Sequence, residues 1–173
     1  MTLGMQEALV KAIQAYIEPN LAAKLAALNT EYPDAMVLED RVATVLGIKS
    51  LRTIPQYPVL YIISGNADGI IWAIDQGGAA SFETRPNVSV GILVIDQDQE
   101  QLQIRLYRYA RALTELLLEA AGNNALVDWN IATDQPFAID TDTGEMSRIT
   151  DSESTDFVGE VSVTVRANKR ETK

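Results

Sequence analysis

The sequence predicts an α+β fold in which an antiparallel or mixed β-sheet carries helices packed on one face, with one long helix following a central strand. Three observations predict it. Helical periodicity runs through residues 5–28 and again through 102–120, strand patterns fill the intervals between and after them, and the resulting order is not the regular βαβα alternation of a doubly wound parallel sheet. The chain has 173 residues, 47% of them hydrophobic. That length suits one domain spanning residues 1–173, with ample apolar material for a core. No internal repeat is present.

The first element is a helix. Met5, Leu9, Ala12, Ile13, Tyr16 and Ile17 share one face at three- and four-residue spacing, with Glu7, Lys11, Gln14 and Glu18 elsewhere. Pro19 lacks an N–H and crowds the preceding turn, so it is expected to end or kink this helix. Asn20 is a good N-cap for a short second helix along Leu21, Leu25 and Leu28, running out near Tyr32-Pro33. Residues 34–50 fit neither period and are assigned to strand or irregular structure. Pro55 and Pro58 bracket the start of a strand at 59–63, the Gly, Asn and Asp content of 64–69 predicts a turn, and 70–74 is expected to return as the hairpin partner. Gly77-Gly78 interrupts the chain again.

Residues 87–95 form the strongest strand pattern, with Val88, Val90, Ile92 and Val94 on one face and Ser89, Gly91 and Leu93 on the other, and are placed at the sheet centre. Asp98 followed by Gln101 resembles a capping box, and Glu100 adds negative charge where a helix dipole is positive. The helix so opened has an unbroken stripe of Leu102, Leu106, Tyr109, Leu113, Leu116, Leu117 and Ala120, and Gly122 with Asn123-Asn124 stops it. Short strands are expected at 128–131 and 136–139, then a flexible polar loop at about 140–156. The last strand, 157–166, alternates: Phe157, Gly159, Val161, Val163 and Val165 inward, Val158, Glu160, Ser162, Thr164 and Arg166 outward. Residues 169–173 are read as a mobile charged tail.

Composition narrows the chemistry. With no cysteine there is no disulfide, thiolate metal site or thiol nucleophile, and with no histidine the commonest general base and zinc ligand are missing. Twenty-four acids against fourteen Lys plus Arg give a net charge of −10, which repels nucleic acid at long range. An acidic surface lining a passage would still let DNA slide through without specific binding. No segment approaches the roughly 18 uninterrupted apolar residues of a membrane span. The amino terminus does not read as a signal peptide, so a reducing cytoplasm is the expected place of synthesis.

Individual motifs add little. Asp140-Thr141-Asp142-Thr143-Gly144-Glu145 has the start of a calcium loop, but Gly144 stands where an oxygen ligand is wanted and Asp151 where Glu is wanted. Gly65 to Gly69 and Gly77-Gly78 lack phosphate-loop spacing. Asp96 and Asp98 are accounted for by capping, Ser64 has no base to activate it, and Trp72 and Trp129 read as core or interface residues. No catalytic residue, cofactor or metal site is expected, and the chain is not read as an enzyme.

An amino-terminal amphipathic helix, the strand Tyr57-Pro58-Val59-Leu60-Tyr61-Ile62, a strong strand running into the helix Leu102...Arg105-Leu106-Tyr107-Arg108, and the closing Asp156-Phe157-Val158-Gly159-Glu160-Val161-Ser162-Val163-Thr164-Val165 together resemble the tail terminator or tail-completion (neck) proteins of tailed bacteriophages. The resemblance covers about Leu9 to Arg166. It implies a structural virion protein, assembled in the host cytoplasm as a homo-oligomeric ring, expected to be a hexamer, that caps the tail tube, ends its polymerisation and provides the joining surface to the head. Partners implied are the tail tube protein, a neck or connector protein, the sheath of a contractile tail, and passing DNA. Arg105, Arg108 and Arg111, away from the apolar stripe, are candidates for a subunit contact with an acidic neighbour. The acidic loop with Asp134, Asp140, Asp142 and Glu145 is the candidate for the lumen or the tube. The alternatives are another head–tail connector or neck protein, a carboxylate-based metal-dependent hydrolase, and a small-ligand binding domain.

Overall fold

In chain order the computed structural model contains α1 (Thr2–Glu31), β1 (Ala43–Leu46), β2 (Val59–Ser64), β3 (Ile70–Ile74), β4 (Ala80–Thr84), β5 (Asn87–Asp96), α2 (Gln99–Gly122), β6 (Asn130–Ile131), β7 (Phe137–Ala138), β8 (Ser147–Arg148) and β9 (Phe157–Thr172). The residues described are these elements together with 32–34, 36–42, 56–58, 97–98 and 156.

The first helix differs from expectation. Pro19 lies inside α1, which is one helix and not two. Leu9, Ile13, Ile17, Leu21, Leu25 and Leu28 continue in phase through the proline and are all buried. An interior proline costs about 3 kcal/mol. Three leucines beyond it, each contributing about 1.5–3 kcal/mol on full burial, outweigh that cost when they stay on the same stripe. Asn20, expected to cap a new helix, instead donates from Nδ2 to the Tyr16 carbonyl at 2.7 Å.

The central sheet is mixed, in the order β1-β2-β5-β9. β1 runs parallel to β2, while β2–β5 and β5–β9 are antiparallel. The sheet therefore has its strongest strand inside, as the alternation predicts. The hairpin expected between 59–63 and 70–74 does not form: β2 pairs with β5, and β3 pairs with β4. The register explains the preference, since Leu60 opposite Ile92 and Ile62 opposite Val90 place four buried apolar residues on one face. β9 is longer than predicted. Past Arg166 it continues to Thr172, where a charged tail was expected, and its residues 169–172 pair with β4. The short strands β6, β7 and β8 also pair with β9.

Both helices lie on one face. α1 packs over β2 and β5, α2 over β5 and β9, and the helices pack on each other. The core between them joins the α1 stripe, the predicted α2 stripe, Val88, Val90, Ile92 and Val94 of β5, and Val161, Val163 and Val165 of β9. Gly159 lets α2 come close, because a Cβ there would stand 2.6 Å from Leu106 Cδ1. Asp98 caps α2 as predicted, its Oδ1 accepting from the N–H groups of Glu100 at 2.8 Å and Gln101 at 3.2 Å, but the Asp98 N–H donates to Asp96 Oδ1 at 3.0 Å, where a capping box would have the Gln101 side chain. A smaller cluster of Val59, Tyr61 and Leu93 occupies the opposite face of the sheet. Among the described residues no helix is long and apolar enough to cross a membrane.

Candidate functional site

The site is built around residues 34–46, where the sequence patterns are weakest. After α1 the chain does not join a strand until the Val42 N–H donates to the Pro58 carbonyl at 2.8 Å. Over that stretch, side chains from the helices bond the backbone as a neighbouring strand would. Asn29 forms a reciprocal pair with Leu38: Oδ1 accepts from the Leu38 N–H at 2.8 Å and Nδ2 donates to the Leu38 carbonyl at 3.0 Å. Tyr109 does the same for the next residue, its hydroxyl accepting from the Glu39 N–H at 3.1 Å and donating to the Glu39 carbonyl at 2.8 Å. Burial pushes the Tyr109 hydroxyl up to about 12, so it keeps the proton it donates. Between these bonds the Leu38 side chain is driven into the core, 3% exposed.

Two of the three arginines of α2 brace the same region. Arg108 pairs with Asp34, with Nη1 at 2.9 Å from Oδ1, and lies over the Tyr32 ring at 4.6 Å. Arg111 pairs with Glu31 at 2.7 and 3.0 Å, donates to the Tyr32 hydroxyl at 2.6 Å and reaches Glu115 at 2.8 Å. Lys24 extends the seam to Glu115 and Glu119. Arg105 stands apart, its Nε 3.2 Å from Asp96 Oδ2 in an ion pair whose two atoms are buried but not aligned as a hydrogen bond. Hydrogen bonds from Arg108 hold the Asp34 carboxyl below its usual range, and those from Arg111 do the same for Glu31 and Glu115. Thus the arginines named from the sequence do share a flank of α2, and each faces an acid of its own chain.

This bracing presents an edge. β1 pairs with β2, and among the described residues no second strand pairs with it. Val37, Val42 and Leu46 are 57%, 51% and 54% exposed, and Glu39 and Asp40 are exposed beside them. Arg41 turns back, donating from Nε to Thr44 Oγ1 at 3.0 Å. Unpaired backbone groups flanked by exposed apolar side chains are the features of a protein-binding edge. Among the described residues no group of His, Cys, Asp and Glu could hold a metal ion. Elsewhere, Ile104, Tyr107 and Leu118 are exposed on α2. On the helix-free face Tyr61 covers Gly91 and hydrogen-bonds Glu160, and its hydroxyl is pushed above the usual range chiefly by burial.

Asp134, Asp140, Asp142 and Glu145 lie outside the described residues, as do Trp129, the glycine turns at 65–69 and 77–78, and the calcium-like segment 140–145. Asn29, Leu38 and Tyr109 were not singled out as site residues from sequence. The available signals were slight: a polar Asn one position after Leu28, and a hydroxyl inside an apolar stripe, which must find a partner when buried. Compared with known proteins, the chain matches no family model and no curated sequence.

Proposed function

We propose that the chain is a structural subunit of a homo-oligomeric ring that caps a phage tail tube, ends its polymerisation and offers a joining surface to the head or neck. The observation that supports this reading is the unlike character of the two ends of the strand path, β1 at one end and the β3–β4 hairpin at the other. A subunit with two different side surfaces associates head to tail, and such contacts close into rings when the rotation permits. The excess of acids suits a ring through which DNA passes without being gripped. Arg105, Arg108 and Arg111, the candidates for a subunit contact, pair with Asp96, Asp34 and Glu31 of their own chain, so in this reading Arg108 and Arg111 brace the approach to the β1 edge.

The test is the mass of the purified protein by light scattering across concentration and salt, with negative-stain imaging and addition to growing tail tubes. The expected result is a ring with a central hole that stops tube elongation. A chain that stays monomeric and also leaves tube elongation unchanged overturns the proposal.

A further inference from the structure

Two strands end the path β1-β2-β5-β9-β4-β3, and among the described residues each is paired on one side only. Sheet edges that stay monomeric are usually blunted by Lys, Pro or inward-pointing charge. Neither end strand carries such a device. β1 reads Ala-Thr-Val-Leu and β3 reads Ile-Ile-Trp-Ala-Ile, without a charge or a proline in either. The β1 end is also held ready, because Asn29 and Tyr109 fix the backbone at Leu38 and Glu39 just before it.

The charges of the two ends differ in sign. Residues 70–86 and 166–173, which contain the β3–β4 hairpin and the end of β9 that carries it, hold five Lys and Arg against three Asp and Glu, a net of +2. The rest of the chain, with nine against twenty-one, has a net of −12. The approach to β1 belongs to this acidic part and exposes Glu39 and Asp40. Pairing β1 with the β1 of another copy would set these acids against each other. Pairing it with β3 places the basic end of β9 three strand spacings away, about 14 Å, which is within a Debye length at low salt.

We propose that a second copy of this chain docks its β3 edge on the β1 edge, so that the sheet continues from one subunit to the next. This deepens the ring reading and rests on it. Backbone hydrogen bonds supply the attraction, Val42 and Leu46 are covered, and repulsion between the acids beside two β1 edges disfavours like-to-like association.

The experiment uses the full chain and five variants. V42K and L46K place a charge on the proposed contact at side chains that are more than half exposed, so folding is preserved, as checked by circular dichroism and Tm. The absence of cysteine makes disulfide trapping clean: L46C is combined in separate variants with I71C and with I74C, one on each face of β3, and oxidised. The expected results are an increase of at least about tenfold in the concentration for half-assembly in V42K and L46K, equivalent to about 1.4 kcal/mol, because the contact would cover an unpaired charge, and a ladder of disulfide-linked multimers beyond the dimer. Wild-type rings that persist unchanged in both lysine variants overturn the β1–β3 contact and leave the ring reading standing. So does an L46C chain, without a second cysteine, that oxidises quantitatively to dimers, since that marks like-to-like pairing. A wild-type chain that stays monomeric and does not cap tubes overturns both proposals.

Discussion

The centre and the β1 edge of the sheet are held in place by different forces. β5 is paired along Asn87–Asp96 with β9 and from Val88 to Leu93 with β2, and it buries Val88, Val90, Ile92 and Val94 under both helices. β1 has four residues, one strand neighbour, and an approach fixed by the side chains of Asn29, Tyr109, Arg108 and Arg111. The centre rests on apolar burial, which is non-directional and indifferent to any single polar atom. The edge rests on a few directional bonds, so its position can be changed without unfolding the rest.

The largest effect on this contrast is expected from I92A, which empties a fully buried position at the sheet centre. It should lower unfolding stability by about 2–5 kcal/mol in urea titrations, the range for truncating a buried isoleucine. A loss below ~1 kcal/mol would show that the centre is not the cohesive part.

Y109F keeps the ring packing and removes the hydroxyl that holds Glu39. We expect a loss of about 1–3 kcal/mol, because the Glu39 N–H and the Glu39 carbonyl both lose the hydroxyl as partner. The accompanying gain in amide exchange should be confined to residues 38–46. Exchange rising equally in β5 would erase the distinction between centre and edge. N29A removes the parallel pair to Leu38 and should cost about 1 kcal/mol with the same local exchange pattern, its smaller size reflecting a more exposed residue.

The smallest effect is electrostatic. Asp34, Glu31 and Glu115 have folded pKa values below their ordinary values of 3.8, 4.5 and 4.5, because arginines hydrogen-bond their charged forms. The unfolded chain therefore binds more protons in acid, and the stabilisation is complete above about pH 4.5 and lost as pH falls through the folded values. These carboxylates face solvent, so the loss should be shallow and weakened further by salt. Tm measured from pH 6 to pH 3 at low and high salt checks it. A fall in Tm that begins above pH 5, or that salt does not alter, would point to other groups.

The parts legible in the sequence are those whose partners are local. The alternation at 87–95 announces a strand buried on one face and central in the sheet, the stripe from Leu102 to Ala120 with Asp98 before it announces α2, and Phe157 to Val165 announces the last strand. Each follows from a period of 2 or 3.6 in one short segment. From these the α+β class with helices on one face could be read, and the structure has it.

What only the tertiary structure decided is how segments that look alone are satisfied by residues far away. Pro19 ends a helix on local grounds, yet the core extends the stripe past it, because burial of Leu21, Leu25 and Leu28 exceeds the local cost. Ile70–Ile74 fits a hairpin with β2 in pattern alone, and pairs with β4 because β2 is taken up by β1 and β5. Residues 36–42 have no period of their own, since their backbone is bonded by Asn29 at nine residues' distance and Tyr109 at seventy. Propensity and periodicity act along the chain within a turn or a strand, whereas a buried backbone group is satisfied by whatever polar atom folding brings within about 3 Å of it.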